Sequence, residues 1–176
     1  MIILLGKPGT GKSTQSKLLA KAKSYQWIST GDIIRKSLSD ERLEQHNSGR
    51  LLTDAEMIEM LRPVLEKDIK NSEFILDGFP RTIPQAEWLI EETKRGRLKL
   101  SALFNLEISD EAAKSRLLSR GRVDDSPSVL EKRFEIYNQL TAPMIELFEQ
   151  KGLTVHRINA NQSQNKVQAD IINALG

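Results

Sequence analysis

The residues with the clearest chemical potential stand at the beginning of the chain. The segment Gly6-Lys-Pro-Gly-Thr-Gly-Lys-Ser13 fits the pattern G-x-x-x-x-G-K-[ST]. It follows four apolar residues, 2–5, that are typical of a buried strand, and it precedes a run with helical periodicity. Gly9 and Gly11 can adopt backbone angles closed to other residue types, so that successive N–H groups point into one concavity. This arrangement predicts a loop that binds the phosphates of a nucleoside triphosphate.

Two side chains of this loop have distinct expected roles. Lys12 adds a full positive charge for the β- and γ-phosphates, and the helix that follows adds the positive end of its dipole. Ser13 supplies a hydroxyl oxygen for a magnesium ion. The alternative is an ordinary glycine turn with a surface lysine. The strand before the loop and the helix after it favour the phosphate site.

Composition narrows the class of protein. The 176 residues suffice for one domain with a sizeable core, and 26 Lys and Arg nearly balance 24 Asp and Glu. Net charge therefore gives no reason to expect a nucleic-acid or membrane partner. The absence of cysteine excludes disulfides and thiolate metal sites. No apolar run approaches the length of a membrane span, and the chain starts directly on a strand, without room for a signal peptide. We expect a cytoplasmic protein that acts as a monomer.

Strand and helix patterns alternate along the chain. Strands are expected at 2–5, 25–29, 74–77, 101–106 and 153–158. Helices are expected from Thr30, after a capping box at Thr53 to Glu56, over 83–94, from Ser109 to Gly121, from Pro127 onwards and over 164–175. Pro63 and Pro143 should kink their helices, and the polar residues 39–52 indicate an exposed insert. The alternation predicts an α/β fold in which about five parallel strands are covered by helices on both faces.

Polar residues follow two further strands. Ligands in such sheets lie at the carboxyl ends of the strands, where Ser29-Thr-Gly-Asp32 and Asp77-Gly-Phe-Pro-Arg81 are found. A carboxylate at the end of a buried strand beside a phosphate loop is placed to hold magnesium through its waters, which is the prediction for Asp77. Its alternative role is that of a turn cap. For Asp32, the metal shell and a helix cap are equal alternatives.

Four arginines bracket a short glycine-containing break: Arg116, Arg120, Arg122 and Arg133. Arg116 and Arg120 are four positions apart and share one helix face. The planar guanidinium of arginine can donate two parallel hydrogen bonds to a phosphate, and it stays protonated at all ordinary pH values. The alternative is a solvated face with salt bridges, but the presence of a phosphate loop favours phosphate binding.

Taken together, these motifs make the chain similar to the adenylate kinase family nearly from end to end. The shared motifs are the glycine loop, Ile28-Ser-Thr-Gly-Asp-Ile-Ile-Arg35, Gly49-Arg-Leu-Leu52, Leu76-Asp-Gly-Phe-Pro-Arg-Thr82 with Gln85, Gly121-Arg-Val-Asp-Asp125 with Arg133, and Thr141-Ala-Pro143. The resemblance implies a P-loop NTPase three-layer sandwich in a single core, 1–176. It also implies a nucleoside-monophosphate-binding insert at 30–52 and a minimal lid at 119–126.

The resemblance also assigns residues. Those implied for ATP are Gly9, Thr10, Gly11, Lys12, Ser13, Thr14, Arg116, Arg120 and the backbone near Gln162. Those implied for AMP are Thr30, Arg35, Arg50, Leu51, Leu52, Gly78, Phe79, Arg81, Gln85, Arg122 and Arg133. The implied catalytic set is Lys12, Arg81, Arg120, Arg122 and Arg133, and the implied magnesium set is Ser13, Asp77 and Asp32, largely through water.

The implied reaction is reversible transfer of the γ-phosphate of MgATP to AMP, giving two ADP. It needs no general base, because a nucleotide phosphate with a second pKa of about 6 is largely dianionic near neutrality. One alternative is a uridylate–cytidylate kinase, although those relatives tend to carry Ala and Asn where this chain has Thr30 and Gln85. Another is a nucleotide-binding regulatory protein with little turnover. A GTPase is disfavoured because the chain lacks an N-K-x-D signature.

The chain departs from the family pattern at two places. Arg120 and Arg122 are separated only by Gly121, which makes the lid shorter than usual. Lys7 occupies a loop position that usually holds a small residue, and nothing in the sequence explains it.

Overall fold

Within residues 1–39, 52–68, 73–121 and 126–176, which a computed structural model describes, five strands form one sheet. They are β1 (Ile2–Gly6), β2 (Gln26–Ser29), β3 (Phe74–Asp77), β4 (Ala102–Glu107) and β5 (Val155–Asn159). The order is β2-β3-β1-β4-β5, and each pairing is parallel. The carboxyl ends of all these strands therefore meet at one edge of the sheet. The predicted parallel sheet of about five strands is confirmed.

Helices connect the strands in the predicted alternation. They are α1 (Lys12–Lys23), α2 (Thr30–Ser37), α3 (Asp54–Asp68), α4 (Ile83–Lys94), α5 (Asp110–Arg120), α6 (Pro127–Ile136), α7 (Ala142–Gln150) and α8 (Gln164–Leu175). Pro63 lies inside α3. In the part of the chain that is described, none of these helices combines the length and apolarity needed to cross a membrane.

Three strands begin later than the sequence predicts, two of them for a visible reason. Tyr25 donates its N–H to the carbonyl of Ala20 at 2.9 Å, so it belongs to the turn that ends α1. Leu153 likewise donates to Phe148 at 3.0 Å in the turn after α7. The third strand, β4, runs from Ala102 to Glu107 and is displaced by one residue from the prediction. Helix-end hydrogen bonds compete with strand pairing at such boundaries, and apolar periodicity does not register them.

The predicted helix caps are present. Glu56 donates its N–H to the Thr53 hydroxyl at 3.2 Å, and the Glu56 carboxylate accepts from the Thr53 N–H at 2.8 Å, which is a capping box. Ser109 caps α5 through the N–H of Ala112 at 3.2 Å. These reciprocal bonds satisfy N–H groups that a helix start leaves without partners. The predicted starts of α3 and α5 are therefore confirmed.

A kink is expected at Pro143, and the structure has a break in the helix one turn earlier. Helix α6 ends at Ile136, and a π segment, Tyr137–Thr141, separates it from α7. Pro143 has no N–H for the carbonyl of Gln139, and its ring crowds that carbonyl. The wider turn accommodates this, and the N–H of Ala142 bonds to Tyr137 five positions back.

The core lies on both faces of the sheet. Ile3 and Leu5 of β1 are buried in one apolar cluster with residues of α3, α4 and α7. Ile2 and Leu4, which point the other way, are buried in a second cluster with residues of α1, α5, α6 and α8. Because side chains of a strand alternate between faces, two clusters mean that both faces are covered. The predicted three-layer sandwich is confirmed.

The two predicted inserts are described only in part. Of the insert at 30–52, residues 40–51 lie outside the described residues, including Arg50 and Leu51. Of the insert at 119–126, residues 122–125 lie outside them, including Arg122. The division into a core and two inserts stays a prediction.

Candidate active site

The glycine loop joins β1 to α1 at the carboxyl edge of the sheet. Gly9 has φ +87°, and a Cβ there would lie 2.7 Å from the main-chain oxygen of Ala113 in α5. Gly11 has φ +90° and is the N-cap of α1. Both conformations are in the region that favours glycine, and Gly9 also permits close approach of the loop to α5. The backbone angles that the sequence analysis expects of these two glycines are therefore present.

The loop is held by its own side chains. Thr10 is 1% exposed, and its hydroxyl donates to the carbonyl of Lys7 at 2.9 Å. The Lys12 ammonium donates to the same carbonyl at 2.9 Å and also to that of Gly6. Ser13 and Thr14 are exposed in the first turn of α1. The Lys12 side chain thus lies across the loop that precedes it.

Lys12 is part of a cluster of four charged residues. Burial is the main cause that lowers the pKa of Lys12 to about 7; the charges of Arg81 and Arg133 act in the same direction, and the charge of Asp77 opposes them. We call Lys12, Asp77, Arg81 and Arg133 the charge cluster. Its members come from the glycine loop, the end of β3, the loop after β3, and α6. Arg81 and Arg133, together with Lys12 when it is protonated, outnumber the one acid and give the cluster a positive excess that suits a polyanionic ligand.

The end of β3 lies beside the start of α2. Asp77 is 6% exposed and pairs in register with Ser29 at the end of β2. The Thr30 hydroxyl donates to the main-chain oxygen of Asp77 at 3.2 Å. A Cβ on Gly78, which has φ +88°, would lie 2.4 Å from that hydroxyl. Two residues predicted for AMP, Thr30 and Gly78, are therefore in direct proximity.

Arg81 is held from several sides. Its Nε donates to the carbonyl of Gly78 at 2.8 Å, and its main-chain N–H donates to Oε1 of Gln85 at 2.8 Å. Its main-chain oxygen accepts from the Thr141 hydroxyl at 2.9 Å. Burial lowers the pKa of Arg81, the charge of Asp77 raises it, and the charge of Arg133 lowers it.

Gln85 is 6% exposed and bonded at both ends of its amide. Its Nε2 donates to Oδ1 of Asp54 at 2.8 Å, and the Thr82 hydroxyl donates to the same oxygen at 2.7 Å.

The Phe79 ring, 1% exposed, packs edge-on against Trp88 with centroids 5.8 Å apart. Phe79 is thus a core side chain, and its predicted contact with AMP rests on its main chain alone.

Arg116 and Gln162, the two residues predicted to contact the adenine of ATP, are hydrogen bonded to each other. Nη2 of Arg116 donates to the carbonyls of Ala160 and Gln162 at 2.9 and 3.0 Å. Helix α5 is thereby tied to the loop after β5. Arg120 lies one turn further along the same helix, at its last residue.

Two charged residues of α2, Asp32 and Arg35, are paired with each other. This ion pair is exposed on the surface of the helix. Ser29, and not Asp32, caps this helix by accepting from the Asp32 N–H at 3.4 Å. The interpretation of Asp32 as a cap is therefore wrong. Leu52 is partly buried against the core on the side of α3.

No role was assigned from the sequence to three residues around the site: Lys7, Asp54 and Thr141. Lys7 forms an ion pair with Asp110 at the start of α5, and its ammonium lies 5.9 Å from the centroid of the Phe134 ring. Asp54 was hidden inside the capping-box pattern, and Thr141 belonged to a recognised motif without an assigned role. Their partners lie 103, 31 and 60 positions away, separations that leave no periodic signal.

Comparisons with known proteins identify the family to which the sequence is related. The sequence model of a family described as adenylate kinase matches residues 4–153. An adenylate kinase of Corynebacterium urealyticum is 39% identical over 160 residues, covering 88% of each chain. Adenylate kinase 1 of Nostoc sp. is 38% identical and covers 99% of this chain and 98% of its own. An adenylate kinase of Tropheryma whipplei is 36% identical and covers 94% and 91%. The chain therefore belongs to the adenylate kinase family.

Proposed function

We propose that this enzyme transfers the γ-phosphate of ATP, bound at the glycine loop, to AMP, bound beside Thr30, Gly78 and Gln85. The products are two molecules of ADP, and the reaction is reversible. The observation that supports this most directly is the charge cluster, because it includes Lys12 of the glycine loop and Asp77 at the end of the strand proposed to lie beside AMP. Positive groups in that position neutralise the charge of two phosphate chains brought end to end.

The donor side is formed by the loop and α5. The backbone N–H groups from Gly9 to Thr14 and the start of α1 would hold the triphosphate, with the Lys12 ammonium directed at its β- and γ-phosphates. Arg116 would stack on the adenine, whose edge would meet the backbone near Gln162. The bonds from Arg116 to Ala160 and Gln162 support this role, since they keep the guanidinium beside that backbone.

On the acceptor side, Arg81 is the residue that contacts the reacting phosphate in our proposal. An oxygen of the AMP phosphate attacks the γ-phosphorus of ATP, and the bond from that phosphorus to the β–γ bridging oxygen breaks. The attacking phosphate is already ionised, so no side chain needs to remove a proton. Arg81, Arg133 and Lys12 would bear the charge that spreads over the transferring group. Arg120 and Arg122 stay predicted members of this set.

Magnesium is the ion that the family implies, and the donor chemistry here fits it. Helix α1, which carries Ser13 in its first turn, packs against β3, which ends at Asp77. A hydroxyl and a carboxylate are hard oxygen ligands, and magnesium typically takes one or two of these beside phosphates and water. Within the described ranges, no three side chains of His, Cys, Asp or Glu converge on one point. The ion would neutralise phosphate charge, held by Ser13 and Asp77. Asp32, paired with Arg35, has less support.

The substrate alternative gains no support from the comparisons, because the relatives described above are named adenylate kinases. A coupled assay of ADP formation, with ATP and each monophosphate in turn, tests the proposal. We expect rapid turnover with AMP, little with UMP or CMP, and none with AMP after Lys12→Ala. Equal rates with CMP and AMP would refute the acceptor assignment. Absence of transfer from a folded wild-type protein would favour a regulatory nucleotide-binding role.

A further inference from the structure

Asp54 has no part in the proposed chemistry, yet it holds a residue that does. It is the first residue of α3, and its Oδ1 accepts from Nε2 of Gln85 at 2.8 Å. At the other end of the amide, Oε1 of Gln85 accepts from the main-chain N–H of Arg81 at 2.8 Å. The Gln85 side chain therefore has a fixed partner at each of its polar atoms.

The chemistry of these partners determines which way the amide faces. A carboxylate only accepts hydrogen bonds, and a backbone N–H only donates them. Rotating the Gln85 amide by half a turn would set Oε1 against the Asp54 carboxylate and Nε2 against the Arg81 N–H. Both contacts would then pair like with like around a residue that is 6% exposed. Buried polar groups without partners are strongly disfavoured, so the observed orientation is locked.

The orientation matters because purines differ in the order of their hydrogen-bonding groups. Adenine carries an amino donor at position 6 beside the acceptor N1, whereas a 6-oxopurine carries an acceptor at position 6 beside a donor at N1. The two observed bonds use one of the two N–H groups of Gln85 and one lone pair of its oxygen. An amide free to rotate could serve either purine with what is left. For a base that its ribose and phosphate hold in one pose, a locked amide can serve only one of the two.

We propose that Asp54 is a specificity-determining positioning residue: by fixing the Gln85 amide, it makes the acceptor site select 6-aminopurine over 6-oxopurine monophosphates. This inference rests on the proposed function, in which Gln85 contacts the base of AMP. It does not concern cytosine, whose amino and ring-nitrogen groups have the same order as those of adenine. Size must exclude that base.

AMP and IMP are the probes for this proposal, because their bases differ only at position 6 and N1, the two groups that the Gln85 amide is proposed to contact. The measurement is kcat and KM for each, with saturating ATP, in the wild type and in Asp54→Asn. The asparagine amide can rotate to donate or accept, so position 54 no longer fixes the orientation of the Gln85 amide; the bond from the Arg81 N–H remains. We expect the wild type to favour AMP in kcat/KM by at least about a hundredfold, from two mispaired groups. In Asp54→Asn we expect this ratio to fall about tenfold, mainly through a lower KM for IMP.

The matched control is Glu56→Gln, which removes one negative charge from the same first turn of α3. Glu56 bonds to Thr53, so its ratio of AMP to IMP should stay at the wild-type value. A merely structural role of Asp54 would lower both activities alike and leave the ratio unchanged. If thermal melts show Asp54→Asn to be unfolded, Asp54→Ser replaces it, since a hydroxyl can also donate or accept.

The outcomes separate the two proposals. An unchanged ratio in a folded Asp54 variant refutes the inference alone, as does a wild type that uses IMP as well as AMP. Absence of transfer to either monophosphate refutes the proposed function, and the inference with it. A lowered ratio in Asp54→Asn with an unchanged ratio in Glu56→Gln supports both.

Discussion

Thr141 donates its hydroxyl to the main-chain oxygen of Arg81 at 2.9 Å, across 60 positions of the chain. Thr141 is the last residue of the π segment, and that segment directly follows α6, the helix that carries Arg133. This bond therefore ties the backbone of one arginine of the charge cluster to the chain segment of another. Together with the bond from the Arg81 N–H to Gln85, it leaves both main-chain polar groups of Arg81 bonded to side chains.

We expect Thr141→Val to lower kcat about fivefold while KM for ATP stays within about twofold. The substitution keeps the shape of the side chain and removes a hydrogen bond of about 1 kcal/mol, which corresponds to that change in rate. The loss should appear in kcat because Arg81 acts on the transferring phosphate. Steady-state assays at saturating AMP measure it.

Thr141→Ser, which retains the hydroxyl, is the matched control and should keep more than half of the wild-type kcat. Equal losses in the two variants would mean that the methyl group, and not the hydrogen bond, matters at this position.

The parts of the fold that the sequence predicts correctly depend on local chemistry. The glycine pattern predicts a loop in which Gly9 and Gly11 have positive φ, and the pattern Thr53 to Glu56 predicts a capping box with both its bonds. In each case the residues that interact are a few positions apart. Alternating strands and helices then restrict the topology to a parallel sheet with two covered faces.

The supporting contacts of the site could not be predicted in this way. Asp54 reaches Gln85 across 31 positions, and no spacing rule relates them. The π segment could not be predicted either. Pro143 predicts a kink, but it does not predict that the backbone hydrogen bonds change from four to five positions apart. The role of Lys7 depends on the packing of α5 beside the loop, because its partner in the ion pair is Asp110 of that helix.

The ion pair between Lys7 and Asp110 should contribute little to stability. The two side chains are 22% and 53% exposed, so solvent screens their attraction. A double-mutant cycle of Lys7→Ala and Asp110→Ala, measured by urea unfolding, should give a coupling free energy of about 0.2–1 kcal/mol. It should shrink further in 1 M salt. A coupling above about 2 kcal/mol would contradict this assignment and show that the pair is held away from water.

Gly9→Ala should destabilise the protein more than Gly11→Ala. Both glycines have φ near +90°, so each substitution carries the cost of a left-handed conformation, about 1–2 kcal/mol. Only at Gly9 would the new Cβ also meet main-chain atoms, with the oxygen of Ala113 at 2.7 Å, whereas nothing lies within 4 Å at Gly11. Urea unfolding of both variants compares them, and equal free energies of unfolding would show that the contact with α5 relaxes without cost.

Lys12→Met should raise the melting temperature, and the gain should be largest at low pH. The pKa of Lys12 is lowered from its ordinary value of 10.5 to about 7 in the folded protein, chiefly by burial. Below pH 7 the ammonium is charged in both states, so its burial opposes folding in full. Between pH 7 and 10.5 the unfolded chain binds the extra proton, and wild-type stability therefore rises with pH through this window. Methionine keeps the length of the side chain and removes the charge.

Thermal melts of the wild type and Lys12→Met between pH 6 and pH 10 measure this difference, which should shrink as the pH rises. Lys21→Met, an exposed position on the same helix α1, controls for the loss of one positive charge. The same lowered pKa predicts proton uptake when ATP binds at pH 8, because the triphosphate favours the ammonium form of Lys12. Calorimetric titrations in two buffers of different ionisation enthalpy detect that proton. A melting-temperature gain in Lys12→Met that does not vary with pH, together with binding that takes up no proton, would show that the Lys12 ammonium remains charged throughout this range.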